Sequence, residues 1–299
     1  MTSRVQDYLS QRRALGYKLY REGRQLLNFA RYADQSRHRG PLNAALALRW
    51  ATLPQTVDPA YHARRLHIVR VFARHQAVIE PATQIPPRHA LGPDFRRKAP
   101  HLFTTGQLHQ LLRRCSTLSG QLAPLTYRTL LGLMACSGLR ISEILALTVQ
   151  DVDLRQGLLT IRFSKWEHSR QVPLHHSALR PLRRYARQRT ALFPQVHTFF
   201  VSDRGQRLQY GAVNRVFRGL SRDMVPTNGR RHVRLHDLRH TVACRVLLRW
   251  QRSRRGVGGR VVVLSRYLGH VHVRDTYWYL TAVPELLKQA LVHFAPLPP

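Results

Sequence analysis

A proline-rich segment interrupts the chain and limits how it can fold. Residues 83–100 read TQIPPRHALGPDFRRKAP, with four prolines and few aliphatic side chains. Proline lacks a backbone N–H and fixes φ, so such a stretch ends helices and suits an extended linker. The full length of 299 residues is also long for a single hydrophobic core. We therefore predict two domains, residues 1–82 and 102–299, joined by a linker over residues 83–101.

The N-terminal domain is predicted to be a small helical bundle with basic faces. Apolar side chains recur at helical spacing through residues 20–32 and again through residues 66–73, where arginines are interleaved with them. Turn signals, rich in glycine and proline, occur at residues 40–43 and 54–59. The pattern favours helices separated by short turns.

The C-terminal domain is predicted to be helical except near residues 151–174. A helix is expected after Phe103, because Thr104 and Thr105 can cap it and Gln107 lies near the capping-box position. In DVDLRQGLLTIRF and RQVPL, apolar and polar residues alternate in short pieces rich in β-formers, as in a small antiparallel sheet. The predicted fold class is therefore mainly α with a small antiparallel β-sheet.

The excess of positive charge restricts the function classes. The chain holds 49 lysine and arginine residues against 15 aspartate and glutamate residues, a formal net charge of +34. Such self-repulsion weakens a compact fold unless a polyanion neutralises it, and nucleic acid is the commonest polyanion. An anionic membrane surface is disfavoured, because the basic residues are spread along the chain and no apolar run is long enough to cross a membrane. We therefore expect a cytoplasmic protein that binds DNA.

The cysteines favour a reducing compartment. Cys115, Cys136 and Cys244 are odd in number, scattered along the chain and embedded in apolar helical patterns. A disulfide framework or a zinc site would need cysteines at paired spacings. We therefore predict three buried thiols.

Two basic residues lie where the chain can bind phosphate. In ACSGLRISEILAL, residues 135–147, a helix is predicted to end at Gly138, and Arg140 lies where the next helix begins. A guanidinium beside a helix N-terminus suits a phosphate, although a solvated arginine is the simpler interpretation of this segment alone. In FSKWEHSRQVPL, residues 163–174, Lys165 is predicted at a hairpin tip that can reach a DNA groove. A lysine in a turn is otherwise only a solubility residue.

A third segment, LHDLRHTVACRVLL, covers residues 235–248. His236 and Arg239 are three residues apart and therefore share one helical face. His232, His236 and His240 also follow at four-residue spacing, which is compatible with a metal site. Neither a carboxylate-plus-histidine signature nor a cysteine pair accompanies them, so we predict no metal.

The fourth segment, YLGHVHVRDTYWYLTAVPELL, covers residues 267–287. Gly269 is predicted to end a helix, and His270 follows in the turn. Tyr277 and Tyr279 point about 200° apart on a helix, so only one of them can face the site that holds His270. A tyrosine packed in the core is the simpler interpretation of either.

In this order, the four segments resemble the conserved boxes of the tyrosine recombinases, the phage-integrase family. The match is closest over residues 102–285. SGLRISEILAL resembles the family's first arginine box, the hairpin its catalytic-lysine turn, HDLRHT its His-x-x-Arg box, and YLGH its second histidine position. TYWYLTAVPELL resembles recombinases carried by transposons and plasmids. In the family the nucleophile usually lies nine residues beyond that histidine, which selects Tyr279 over Tyr277.

The resemblance implies cleavage of a DNA phosphodiester without a metal ion, ATP or other cofactor. Tyr279 would attack the scissile phosphate and form a 3′-phosphotyrosyl link. Arg140 and Arg239 would clamp the non-bridging oxygens, and Lys165 would protonate the departing 5′-oxygen.

The resemblance also assigns roles to two histidines. His236 would act as a general acid and base near the tyrosine, and His270 would hydrogen-bond the phosphate. One departure from the family pattern is RWQRSRRGVGGR, residues 249–260, which is longer and more basic than the usual link. We interpret it either as a loop that contacts DNA or as a solvated basic insert.

The partners implied by the resemblance are double-stranded DNA and further copies of the chain. Residues 1–82 would form the family's core-binding domain, an assignment that rests on position and helicity. A homo-tetramer would assemble on paired DNA sites, with a predicted amphipathic helix over residues 284–294 docking on a neighbouring protomer. Partner recombinases or accessory proteins are compatible with this organisation.

Three other functions stay open at the level of the sequence. One is a relative that binds DNA but no longer cuts it. Another is a type IB topoisomerase-like enzyme, which relaxes supercoils without exchanging strands between partners. A basic RNA- or ribosome-associated protein would explain the charge but none of the ordered boxes.

Overall fold

The computed structural model comprises two compact units, Met1–Arg97 and Lys98–Pro299. The residues that the structure describes are 1–94, 100–162, 169–224, 226, 232–252 and 258–282. Within them, no helix is both long and apolar enough to cross a lipid bilayer. The assignment of a DNA-binding and a catalytic domain to the two halves of the chain stays a prediction.

The first unit is a helical bundle. Its helices are α1 (Thr2–Ala14), α2 (Tyr20–Gln35), α3 (Ala44–Thr52) and α4 (Pro59–Ile79). Each predicted turn contains a residue that caps the next helix. The side chain of Asn43 accepts a hydrogen bond from the backbone N–H of Leu46 at 2.7 Å, and that of Asp58 accepts one from Ala60 at 2.9 Å. These bonds satisfy N–H groups that the first turn of a helix leaves unpaired.

The start of the proline-rich segment packs against this bundle. Gln84 donates its backbone N–H to the carbonyl of Leu42 at 2.8 Å and accepts a bond from the N–H of Ala44 at 3.1 Å. Arg70 of α4 donates to the carbonyl of Pro86 at 2.8 Å. Proline lacks an N–H donor but keeps its carbonyl group, so Pro86 still contributes an acceptor to these contacts.

The second unit is mainly helical with one small sheet, which confirms the predicted fold class. Its helices are α5 (Thr105–Arg114), α6 (Ala123–Ser137), α7 (Ile141–Ala146), α8 (His176–Leu192), α9 (Tyr210–Leu220), α10 (Leu235–Arg252), α11 (Gly258–Leu268) and α12 (Arg274–Ala282). The predicted capping box at the start of α5 is confirmed, with Thr104 and Gln107 bonded to each other's backbone N–H groups.

The sheet is antiparallel and follows chain order. Its strands are β1 (Val152–Asp153), β2 (Leu158–Ile161) and β3 (Arg170–Pro173). Leu159 opposes Val172, and Ile161 opposes Arg170, so the two arms of the predicted hairpin are confirmed. Lys165, predicted at its tip, lies outside the described residues.

Two sequence interpretations need correction. Cys115 and Cys244 are buried as predicted, but Cys136 is exposed, because it lies on the outward side of the last turn of α6. The basic segment 249–260 is helical at both ends, since α10 continues through Arg252 and α11 begins at Gly258. A loop interpretation can therefore apply only to residues 253–257, which lie outside the described residues, as does the tail helix predicted over residues 284–294.

Candidate active site

The polar residues of the second unit converge where α6 and α11 end. Gly138 follows α6 with a φ of 65°, and Gly269 follows α11 with a φ of 68°. This left-handed conformation favours glycine and leaves the last helix carbonyls open to other donors. Glycine also provides space, because a Cβ on Gly269 would lie 2.6 Å from the guanidinium of Arg170. Both predicted helix ends are confirmed.

Three guanidinium groups meet at the carbonyl oxygen of Leu268, the last residue of α11. Arg239 donates to it from Nη2 at 2.8 Å, while Nη2 of Arg170 and Nη1 of Arg140 lie at 3.4 and 3.5 Å. Arg239 also donates from Nη1 to the carbonyl of Gly138 at 2.8 Å, so its guanidinium bridges two helix ends. Carbonyl groups at a helix C-terminus carry partial negative charge, which attracts cations.

Glu143 is the carboxylate that orients two of these arginines. Its Oε1 accepts a bond from Nη1 of Arg140 at 3.1 Å, and its Oε2 accepts one from Nη2 of Arg170 at 3.1 Å. Burial alone would raise the pKa of Glu143, but Arg170 and Arg140 outweigh it and hold the pKa below its ordinary value. Because three guanidiniums share one carboxylate, which pairs with two of them, the cluster is electropositive.

Two imidazoles lie close to this cluster and are neutral at pH 7. Burial, together with repulsion from Arg239 and Arg140, lowers the pKa of His270 to about 3. His236 has part of its side chain at the surface. Desolvation by the protein on its other side, together with repulsion from Arg239 and other arginines, lowers its pKa to about 4. His270 is held in place by a bond of 2.7 Å between its Nδ1 and the hydroxyl of Thr276.

Helix α12 turns Tyr279, and not Tyr277, towards these groups. Tyr279 is 2% exposed, whereas Tyr277 is 46% exposed. The ring of Tyr279 lies 6.2 Å from that of His270, centroid to centroid, and its hydroxyl lies 3.1 Å from Nδ1 of His240. Burial raises the pKa of Tyr279, and the nearby Arg239 offsets part of this effect.

The structure brings together every predicted catalytic residue that it describes, namely Arg140, His236, Arg239, His270 and Tyr279. Lys165 cannot be placed, since it lies outside the described residues. In the part of the chain that is described, no three histidine, cysteine or acidic side chains are grouped as metal ligands.

Three further residues of the site escaped sequence reasoning: Glu143, Arg170 and His240. Glu143 lies three residues after Arg140, at the position from which a capping box bonds back, and that spacing was an available signal. Arg170 opposes Ile161 in the hairpin, but only packing directs its side chain to α11. His240 follows Arg239 directly and was considered only as a metal ligand.

The geometry suits chemistry on an anion. The guanidiniums are fixed by carbonyl and carboxylate partners, so they need little rearrangement to stabilise negative charge that develops nearby. A phenol is a weak nucleophile while protonated and becomes a strong one when a base removes its proton. The electropositive cluster can therefore bind a phosphate group, and the tyrosine hydroxyl beside it can attack that group.

The chain is similar in sequence to known integrases and recombinases. The model of the phage integrase family matches residues 102–285. Over 302 residues the chain is 40% identical to y4rB of Sinorhizobium fredii, named as a candidate integrase/recombinase, with 96% of this chain and 94% of that protein covered. It is 29% identical over 234 residues to the tyrosine recombinase XerC of Chlamydia trachomatis, covering 76% of this chain and 68% of that protein.

Solved structures share the fold. The Tn1549 transposon integrase in complex with transposon right end DNA superposes with a TM-score of 0.67 at 17% identity, covering 99% of this chain and 100% of that one. A lambda integrase dimer bound to a COC' core site superposes with a TM-score of 0.60 at 16% identity, covering 93% and 76%. At such identities the likeness concerns the fold alone.

Proposed function

The chain belongs to the phage integrase family, and on that basis we propose that it is a site-specific recombinase that cuts DNA through a 3′-phosphotyrosyl bond on Tyr279. The observation that supports this most is the convergence of Arg140 and Arg239 on one helix end beside the buried Tyr279 hydroxyl. A scissile phosphate bound there meets fixed donors for its oxygens and a nucleophile close by. Positioning of this kind accounts for most of the catalysis in phosphoryl transfer.

In the proposed reaction, the oxygen of Tyr279 attacks phosphorus and the bond from phosphorus to the 5′-oxygen breaks. Arg140 and Arg239 stabilise the charge on the non-bridging oxygens, where a guanidinium fork is a better partner than an ammonium. Lys165 protonates the departing oxygen. The phosphotyrosyl bond conserves the energy of the phosphodiester, so rejoining to a 5′-hydroxyl of a partner strand needs neither ATP nor a metal ion.

The histidines gain their function when DNA arrives. His270 and His236 are neutral without DNA, because desolvation by the surrounding protein and repulsion from Arg239 and Arg140 lower their pKa values. A bound phosphate offsets that repulsion and raises both pKa values, which lets the imidazoles donate hydrogen bonds or protons to it. We assign His270 to the phosphate oxygens and His236 to acid–base catalysis.

Double-stranded DNA is the proposed substrate, and a homo-tetramer on paired sites is the proposed assembly. A formal charge of +34 is compatible with many phosphate contacts. Residues 1–82 are proposed to bind DNA as a core-binding domain, and the segment 284–294 to dock on a neighbouring protomer.

The test is covalent capture of a nicked suicide substrate, from which the cleaved strand diffuses away and leaves the protein attached. Tyr279→Phe is expected to form no adduct, because it lacks the attacking oxygen. Tyr277→Phe is the matched control and is expected to form adduct at the wild-type rate, because Tyr277 faces solvent. Loss of capture in Tyr277→Phe with full capture in Tyr279→Phe would show that Tyr277, and not Tyr279, is the nucleophile. Binding without capture by the unmodified protein would instead indicate a relative that no longer cuts.

A further inference from the structure

The hydroxyl of Tyr279 has a hydrogen-bond partner outside the residues assigned so far. Nδ1 of His240 lies 3.1 Å from that oxygen, and His240 is only 8% exposed. His240 lies on α10, one residue after Arg239 and one helical turn after His236. We propose that His240 is the base that takes the proton of Tyr279 during strand cleavage. This inference rests on the proposed function, since it needs Tyr279 to be the nucleophile.

For the proton of Tyr279, His240 takes over the acid–base role that the family resemblance assigns to His236. A general base must lie within about 2.6–3.2 Å of the atom whose proton it takes. His240 meets this requirement, while among the described residues His236 makes no hydrogen bond to the Tyr279 hydroxyl. The ring of His236 instead packs edge-on against that of His240, with centroids 4.5 Å apart and planes at 89°.

The surrounding packing holds the side chains of His240 and Tyr279 next to each other. Helix α10, which carries His240, packs directly against α12, which carries Tyr279. The indole of Trp278 contacts both side chains, with ring centroids 5.5 Å from His240 and 5.3 Å from Tyr279. A base held by packing on rigid helices loses little entropy when it acts.

The chemistry of the neighbouring groups leaves the task to an imidazole. Burial raises the pKa of Tyr279, so the phenol is protonated at neutral pH and must lose its proton as it attacks. Arg239 and Arg140 can stabilise the phenolate, but a guanidinium has no lone pair with which to accept a proton. A neutral imidazole whose Nδ1 carries no hydrogen has one.

The protons balance in both directions. As the oxygen of Tyr279 bonds to phosphorus, its hydrogen moves to Nδ1 of His240, which becomes an imidazolium. The 5′-oxygen leaves with a proton from a separate donor, for which Lys165 is proposed. In rejoining, the 5′-hydroxyl gives up its proton to that donor, and His240 returns its proton to the oxygen of Tyr279.

The decisive variant is His240→Asn. The amide oxygen of asparagine keeps an acceptor close to the place of Nδ1 but cannot take up a proton. We expect the single-turnover rate of adduct formation on a suicide substrate to fall about 100-fold or more, the usual contribution of a general base. His109→Asn, an exposed histidine on α5, is the matched control and is expected to keep the wild-type rate. A wild-type rate in His240→Asn would overturn the inference, because a mere orienting role is rescued by asparagine.

A second substrate separates the nucleophile from the leaving group. When sulfur replaces the bridging 5′-oxygen, the leaving group is a thiolate, which departs without a proton because its pKa is much lower. The defect of His240→Asn is expected to persist on this substrate, since the phenol still needs a base. Full recovery of the rate would show that His240 acts on the leaving group, and the inference would be wrong.

Three further controls keep the outcome unambiguous. Rates are normalised to the DNA-bound, folded fraction, and His240→Gln replaces His240→Asn if the latter does not fold. Tyr279→Phe is run in parallel. If Tyr279→Phe still forms adduct, the proposed function fails. If Tyr279→Phe forms none while His240→Asn, or His240→Gln in its place, reacts at the wild-type rate, only the role of His240 fails.

Discussion

Arg189 and Arg239 are both almost fully buried in the second unit, at 2% and 1% exposure, but their surroundings differ. Arg189 lies near the end of α8 and donates to the carbonyl groups of Phe193, Val196 and Thr198. These bonds fasten the chain that follows the helix. Because carbonyl groups from one short segment bind both of its Nη atoms, the position of Arg189 is explained by the fold itself.

Arg239 also donates to two backbone carbonyls, but further cations surround it. Arg140 shares the carbonyl of Leu268 with it, and His236 and His270 are close enough for their pKa values to be lowered by its charge. Burial and repulsion from Arg140 lower the pKa of Arg239 itself to about 10. Gathering like charges in this way opposes folding, and such arrangements are characteristic of sites that bind an anion. Burial of an arginine therefore does not identify a site, whereas a surplus of positive charge around it does.

The largest effect expected from this comparison is on cleavage. Arg239→Lys is expected to slow adduct formation about 100- to 1000-fold, since a lysine cannot bond both helix ends and a phosphate oxygen at once. Arg189→Lys is the matched control and is expected to keep the rate per folded molecule. Single-turnover capture, with DNA binding measured separately, checks both variants. An equal loss in the two variants would remove the distinction between the regions.

The second effect concerns the free energy of unfolding measured without DNA. Here the larger loss is expected for the Arg189 variant and the smaller loss for the Arg239 variant. Arg189→Met is expected to lower the free energy of unfolding by about 1–3 kcal/mol, because buried carbonyl groups lose their donor. Arg239→Met is expected to lower it less, since removing this charge relieves the repulsion with Arg140. Urea denaturation of the two variants measures the difference. A larger loss in Arg239→Met would mean that Arg239 is mainly a structural residue.

The third effect is a pH dependence of stability that originates in the Arg239 region. An unfolded histidine takes up its proton near pH 6.5, whereas folded His236 and His270 do so only near pH 4 and pH 3. Between these values the unfolded state binds more protons, so the free energy of unfolding falls as the pH falls from 6.5. Denaturation at several pH values measures this slope, and His270→Asn is expected to make it shallower. An unchanged slope would show that His270 is not held neutral by its neighbours.

Local features of the sequence determined much of the fold. The hairpin pairing of β2 with β3, the capping box of α5 and the helix ends at Gly138 and Gly269 all depend on residues that are near one another in the chain. Hydrophobic periodicity, helix caps and left-handed glycines depend on residues within one or two turns, so they can be recognised from the sequence alone. The order of the four boxes likewise indicated the family and the candidate catalytic residues.

Tertiary packing decided the rest. Helical spacing showed that Tyr277 and Tyr279 diverge, and the family resemblance chose Tyr279, but only the packing of α12 against α10 buries that ring and brings its hydroxyl to His240. The shared carbonyl of Leu268 lies 128 residues from Arg140 in sequence, and the carbonyl of Gly138 lies 101 residues from Arg239. Contacts over such separations depend on how helices are oriented in space, which no local pattern encodes. For that reason the sequence supplied the chemical groups, and the folded structure determined which of them lie next to one another.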